Sequence, residues 1–114
     1  MSRGRHGIAR VLAVTCFGGV LLGSSMVASA ADGAGKTLYQ KNCQSCHGAD
    51  GNAPAAMAKS MKVPPVTAAA LKQKDDAAML HIIAAGAGKM PGYAKKMSAA
   101  DQKQVLDYMK TLGQ

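Results

Sequence analysis

Within five positions, Cys43-Gln44-Ser45-Cys46-His47, the chain sets two thiols and an imidazole at a fixed spacing. No other feature limits the fold as strongly, because a backbone that bonds one object through both thiols must wrap around it. The sequence also needs such an object. After residue 30 there is no Trp and no Phe, and the aromatic groups are Tyr39, Tyr93 and Tyr108. The 114 − 30 = 84 residues that follow are close to the size at which one hydrophobic core barely offsets chain entropy. A disulfide, a metal or a cofactor is expected to make up the difference.

The division at residue 30 comes from the first third of the chain. Arg3, Arg5 and Arg10 stand in an opening without acidic residues. An apolar run from Val11 to Val27 follows, then the small-x-small pattern Ala28-Ser29-Ala30. These are the three parts of a secretory signal peptide, so residues 1–30 are expected to be removed after Ala30 and residues 31–114 to form one domain. An uncleaved membrane anchor is the rival, since residues 11–31 nearly reach spanning length. The glycines within the run and the clean cleavage pattern favour the leader. Only five residues separate Cys16 from Arg10, the last a poor Thr15, and Cys16 is assigned to the discarded segment rather than to a lipid anchor.

The remaining domain carries eleven Lys and no Arg against six Asp and no Glu, a net charge of 11 − 6 = +5. A basic balance suits nucleic acid, a membrane surface or acidic proteins. Export argues against nucleic acid, and the missing Arg removes the usual bidentate base reader.

The pattern along this domain is helical. Residues 33–47 predict one short helix, with Leu38 and Tyr39 inward and Lys36 and Lys41 in water. Residues 48–66, rich in Gly, Ala and Pro, read as a long loop with at most a helical turn. Thr67 caps a brief helix. Asp75 and Asp76 open a stronger one that Gly86 ends, with Met79, Ile82, Ile83 and Gly86 on one stripe. A glycine-punctuated loop follows. Ser98 and Asp101 then form a capping-box start to a last helix that faces Val105, Tyr108, Met109 and Leu112 inward. There is no strand signal and no repeat.

C-x-x-C alone serves zinc, disulfide exchange or a structural disulfide, whereas C-x-x-C-H is the pattern for covalent c-type haem attachment. The two-residue gap sets both sulfurs along one haem edge for thioether formation, and His47 reaches under the ring to the iron. Zinc would need four ligands, and only the distant His81 joins Cys43, Cys46 and His47. A redox C-x-x-C expects a strand-and-helix context that is missing. A plain disulfide would leave the histidine and the thin core unexplained.

A sixth iron ligand is sought among Met57, Met61, Met79, Met90, Met97 and Met109. Met79 and Met109 belong to helical stripes. Met57 and Met61 follow His47 closely, which leaves their reach to the far face in question, and Met97 is at most a second choice. Met90 lies in a Gly-rich loop far along the chain, with Pro91 stiffening its approach, and is the expected ligand. Gap-filling is the commoner task of a methionine, but the loop context favours iron. His81 falls opposite the apolar stripe and is expected at the surface.

The segments "GKTLYQKNCQSCHGADG", "IIAAGAGKMPGY" and "VLDYMKTL" together resemble the class I c-type cytochromes in their short, soluble, single-haem bacterial form. The resemblance covers nearly all of residues 32–114. It implies an all-α small cytochrome c fold, three to five short helices wrapped around one covalently bound haem. It also implies thioethers at Cys43 and Cys46, a proximal His47 and a distal Met90. Gly35 and Tyr39 would meet Val105 and Tyr108 where the first and last helices cross. A proline carbonyl would hold the second nitrogen of His47, and Pro54, Pro64 and Pro65 are equally open to that role.

The function so implied is that of a periplasmic electron carrier, monomeric and not an enzyme, with one haem c exchanging electrons with redox proteins. Lys89, Lys95 and Lys96 beside the Met90 loop, with Lys59 and Lys62, would meet acidic docking surfaces on those partners. No nucleic acid and no permanent membrane insertion are expected. Two alternatives stand: a haem-based sensor or peroxidase-like protein if Met90 does not ligate the iron, and a haem-free binding module stapled by a disulfide.

Overall fold

The computed structural model describes residues 27–114, with side chains from residue 33 onward. The predicted signal peptide over residues 1–30, its cleavage site and Cys16 lie outside the residues whose side chains are described. Six helical segments follow in order: α1 (Val27–Asn42), α2 (Gln44–His47), α3 (Ala55–Met61), α4 (Ala68–Leu71), α5 (Asp76–Ala85) and α6 (Ala99–Met109). The count passes the three to five expected because α2 and α4 are single turns. Among the described residues there is no strand, only an isolated bridge between Ala87 and Met90. No helix of the described residues is long and apolar enough to cross a membrane.

The helix starts are written in side chains that accept orphan backbone N–H groups. Thr67 accepts from the Ala70 N–H at 3.2 Å. Asp75 accepts from the Ala78 N–H at 2.9 Å. Ser98 and Asp101 close a reciprocal capping box, each side chain accepting from the other's backbone N–H. Gly86 ends α5 at φ 82° while its N–H still bonds the Ile82 carbonyl.

The frame is the crossing of α1 and α6. Gly35 is buried against the Gln104 carbonyl, so closely that any added Cβ would overlap it. This close approach lets Tyr39 reach the core, where it is fully buried, and its ring sits 5.4 Å from that of Tyr108 at a tilt of 58°. Val105 and Leu106 are sealed beside it, and Leu71, Met97, Met109 and Leu112 join a cluster that also takes in Cys43, Ile83 and Tyr93. An exposed ion pair joins Lys110, the residue that caps the end of α6, to Asp76 of α5 at 2.6 Å.

Two departures from the expected pattern matter for the site. The helix predicted over residues 33–47 breaks at Cys43, whose ψ of −37° with φ of −120° is not helical, and restarts as α2. Within the loop predicted over residues 48–66, α3 forms a full helix with no buried residue. Its Ala-rich sequence carries high intrinsic propensity but only one spaced apolar pair, Met57 and Met61, so a pattern search passes over it. The loop that contains α3 is closed at its base, where the Val66 N–H donates to the Gly51 carbonyl at 2.8 Å. Just after the loop, the Ala68 N–H at the start of α4 donates to the carbonyl of Leu112, three residues beyond α6, at 2.8 Å.

Candidate haem-binding cleft

Cys43 and His47 are buried and Cys46 half-buried, because the break after α1 turns α2 inward. Two tyrosine hydroxyls bracket this segment. Tyr39 donates to the carbonyl of Gly48, the residue after His47, at 2.7 Å. Tyr93 donates to the carbonyl of Asn42, the residue before Cys43, at 2.8 Å. Gly48 itself takes φ 78° and lies against the Asn52 carbonyl, so only a residue without a side chain fits there.

Cys43, Cys46 and His47 open into a mainly apolar cleft with about 700 Å³ of free space, part of it continuous with solvent. Met61, Pro64, Met90 and Tyr93 also line it. The two thiols do not form a disulfide. Burial, with Cys46 as a lesser influence, pushes the Cys43 thiol up to about 11, so it is protonated near neutral pH.

The imidazole of His47 shows most clearly what the cleft accommodates. Its Nδ1 is buried and has no hydrogen-bond partner. Burial lowers the His47 pKa, and the Pro64 backbone partly opposes that shift. Pro64 is therefore the proline that faces the ring, although it stands outside full hydrogen-bond geometry with Nδ1. Pro54 instead starts α3. A neutral, desolvated imidazole is a ready metal ligand. Among the described residues no three His, Cys, Asp or Glu side chains converge to hold a metal ion on their own. The set of two thiols, one imidazole and methionine thioethers around an apolar space thus fits a haem anchored through both sulfurs and ligated through iron, and it does not fit a bare zinc ion.

Met90 is half-buried at the cleft, at the end of a tight turn in which Ala87 and Met90 exchange backbone hydrogen bonds at 3.1 and 2.9 Å. Behind that turn the chain folds back on α5. Gly92 packs against the backbone of Ala84 and Ala85. The Tyr93 N–H donates to the Ile83 carbonyl at 2.9 Å, and the Ala94 N–H to the Ala84 carbonyl at 3.1 Å. Met109 is a core residue, Met79 packs on that core and His81 is exposed, as expected, and Met97, the second choice as ligand, is a core residue instead.

Met61 reaches the cleft as well. It ends α3, and Lys62 after it takes the left-handed conformation at φ 55°. Sequence reasoning left its reach in question because α3 was not recognised. Lys62 and Lys89 are the charged residues at the cleft, and Lys89 Nζ donates to the Ser60 carbonyl of α3 at 3.1 Å. Lys95 and Lys96 are exposed, the latter with its ammonium 5.5 Å from the centre of the Tyr93 ring.

Residues 30–109 match the family described as cytochrome C oxidase, cbb3-type, subunit III. Among individual proteins, a cbb3-type cytochrome c oxidase subunit CcoP from Azospirillum brasilense is 36% identical over 81 residues, which is 69% of this chain and 28% of that protein. The chain therefore spans under a third of the length of this relative.

Proposed function

The chain belongs to the cytochrome c oxidase, cbb3-type, subunit III family and carries a class I c-type cytochrome domain, and from that premise we propose that it is an exported one-electron carrier. Haem-based electron transfer is what the family supports. The finer reading is one haem c, bonded through Cys43 and Cys46 and ligated by His47 and Met90, in a monomer that works in the periplasm.

One observation carries this reading: the attachment motif and Met90, far apart in sequence, line the same apolar cleft. When bound, the haem supplies an iron that takes up and gives back one electron. The protein's own residues govern the rest. His47 offers a neutral imidazole because burial disfavours its charged form. Met90 as second ligand would raise the reduction potential relative to harder donors and keep other molecules off the metal. The apolar walls exclude water, which disfavours the more highly charged oxidised state. Such a site performs electron transfer rather than catalysis.

The partners are redox proteins, and a relative named as a subunit of a cbb3-type cytochrome c oxidase supports an oxidase as one of them. Lys62 and Lys89 at the cleft, with exposed Lys59, Lys95 and Lys96, would draw acidic surfaces toward it. Electron exchange with such a partner should slow as salt rises, because steering between exposed charges is screened within ~8 Å at physiological ionic strength.

The deciding test is the absorption spectrum of the haem-loaded protein beside its Met90→Ala variant. The wild type should show c-type bands and the weak far-red band of methionine on ferric iron, and the variant should lose that far-red band. A wild type without the band that binds carbon monoxide readily would instead indicate a gas sensor or a peroxidase-like protein.

A further inference from the structure

We infer that Tyr93 is a positioning residue for Met90, its hydroxyl fastening the loop that bears Met90 to the segment that bears Cys43. The inference rests on the reading of Met90 as an iron ligand. Tyr93 is 9% exposed and lines the cleft. Its hydroxyl donates at 2.8 Å to the carbonyl of Asn42, across a separation of 51 residues. Because Asn42 precedes Cys43, this bond joins the two halves of the site through one side chain.

The backbone of Tyr93 is fixed independently of that bond. Its N–H is held by Ile83, and its carbonyl accepts from the N–H groups of Lys96 and Met97, both at 2.9 Å. Only Pro91 and Gly92 separate Tyr93 from Met90, and each is constrained. Proline fixes its own φ, and Gly92 lies so close to Ala84 and Ala85 that no side chain fits. A displacement of Tyr93 is therefore passed to Met90 with little slack.

The same loop has a second fastening, from Lys89 to the Ser60 carbonyl at 3.1 Å, but that bond is exposed and water competes for it. Tyr39 supplies the matching hydroxyl at the other end of the motif. It comes from only nine residues away, within α1, and its hydroxyl bonds Gly48 rather than a residue of the segment that bears Met90. The two tyrosines thus make similar bonds with different consequences. Loss of the Tyr39 hydroxyl loosens the motif, whereas loss of the Tyr93 hydroxyl loosens the motif from the loop opposite.

The test is an imidazole titration of the ferric, haem-loaded protein at neutral pH, since imidazole binds iron only when methionine leaves it. Wild type, Tyr93→Phe, Tyr39→Phe and Met90→Ala are compared, each with its far-red band and thermal unfolding recorded. Tyr93→Phe should keep the band yet bind imidazole roughly three- to tenfold more tightly than wild type, the scale of one lost hydrogen bond. Tyr39→Phe should lose comparable thermal stability and bind imidazole as wild type does. Equal affinity of Tyr93→Phe and wild type would overturn the inference. So would an equal rise in Tyr39→Phe, which would mark a general loosening. A wild type that lacks the band and binds imidazole as tightly as Met90→Ala would overturn the reading of Met90 itself.

Discussion

The crossing of α1 and α6 and the cleft wall that includes α3 are built on opposite terms. At the crossing Tyr39 and Val105 are fully buried, Leu106 nearly so, and α6 alone contributes four buried residues. Along α3 no side chain is buried, and α5 contributes only Ile83. Dense packing of this kind is self-sufficient, because each side chain finds protein on every side. The cleft wall finds protein on one side only, and the haem would cover the other. Residues 31–114 thus fold partly on their own contacts, and a cofactor in the cleft would stand in for the Trp and Phe that are absent after residue 30.

The largest test of that contrast is to remove the anchors. Cys43→Ala combined with Cys46→Ala should abolish covalent haem, seen as loss of haem staining on a denaturing gel. Amide exchange should then show protection falling most over residues 48–66 and 86–93 and least around Tyr39 and Leu106. Uniform loss of protection would break the comparison. Next in size, Leu106→Ala should destabilise the haem-loaded protein by about 2–5 kcal/mol, the range for a truncated core leucine, read by denaturant unfolding. A similar truncation of Met57, only half-buried on α3, should cost clearly less.

The smallest effect sharpens the comparison inside the crossing itself. Tyr39→Phe should cost about 1 kcal/mol, the net value of one intramolecular hydrogen bond. It should also change the alkaline behaviour. Burial, ahead of the influence of Cys43, raises the Tyr39 phenol well above its ordinary range. The unfolded chain therefore ionises first, so this stability is intact below about pH 10 and declines as pH rises beyond it. The Phe variant should show a shallower decline, though not a flat one, because burial raises the Tyr93 phenol as well. Unfolding midpoints between neutral and alkaline pH would show this.

What was legible in the sequence was local. Thr67, Asp75 and the Ser98–Asp101 pair announced three helix starts because capping is decided within four residues. The pattern of Cys43, Cys46 and His47 lies in spacing alone, and the structure brings those three to one cleft with Met90, while Gly35 and Tyr39 fell where the resemblance set them, with Gln104 rather than Val105 under the glycine. α3 was not legible, since a seven-residue Ala-rich helix with no fully buried side chain carries one spaced apolar pair, Met57 and Met61, too short a trace to fix the helix or the reach of Met61. The choice of Pro64 among three prolines depended on how the loop closes through Gly51 and Val66. The bond from Tyr93 to Asn42 spans two elements that nothing local links.

The crossing of the terminal helices also has a kinetic side. Gly35 and Gln104 are about seventy residues apart, so their contact closes nearly the whole domain, and a closure of that length carries an entropic barrier that local helices avoid. From that barrier, α1 is expected to dock on α6 later than the elements whose starts are set by neighbouring residues. During that interval Tyr39 has no cover, and the two thiols stand on an open stretch of chain. The order of events built into the topology thus leaves the attachment residues reachable until the last helix arrives.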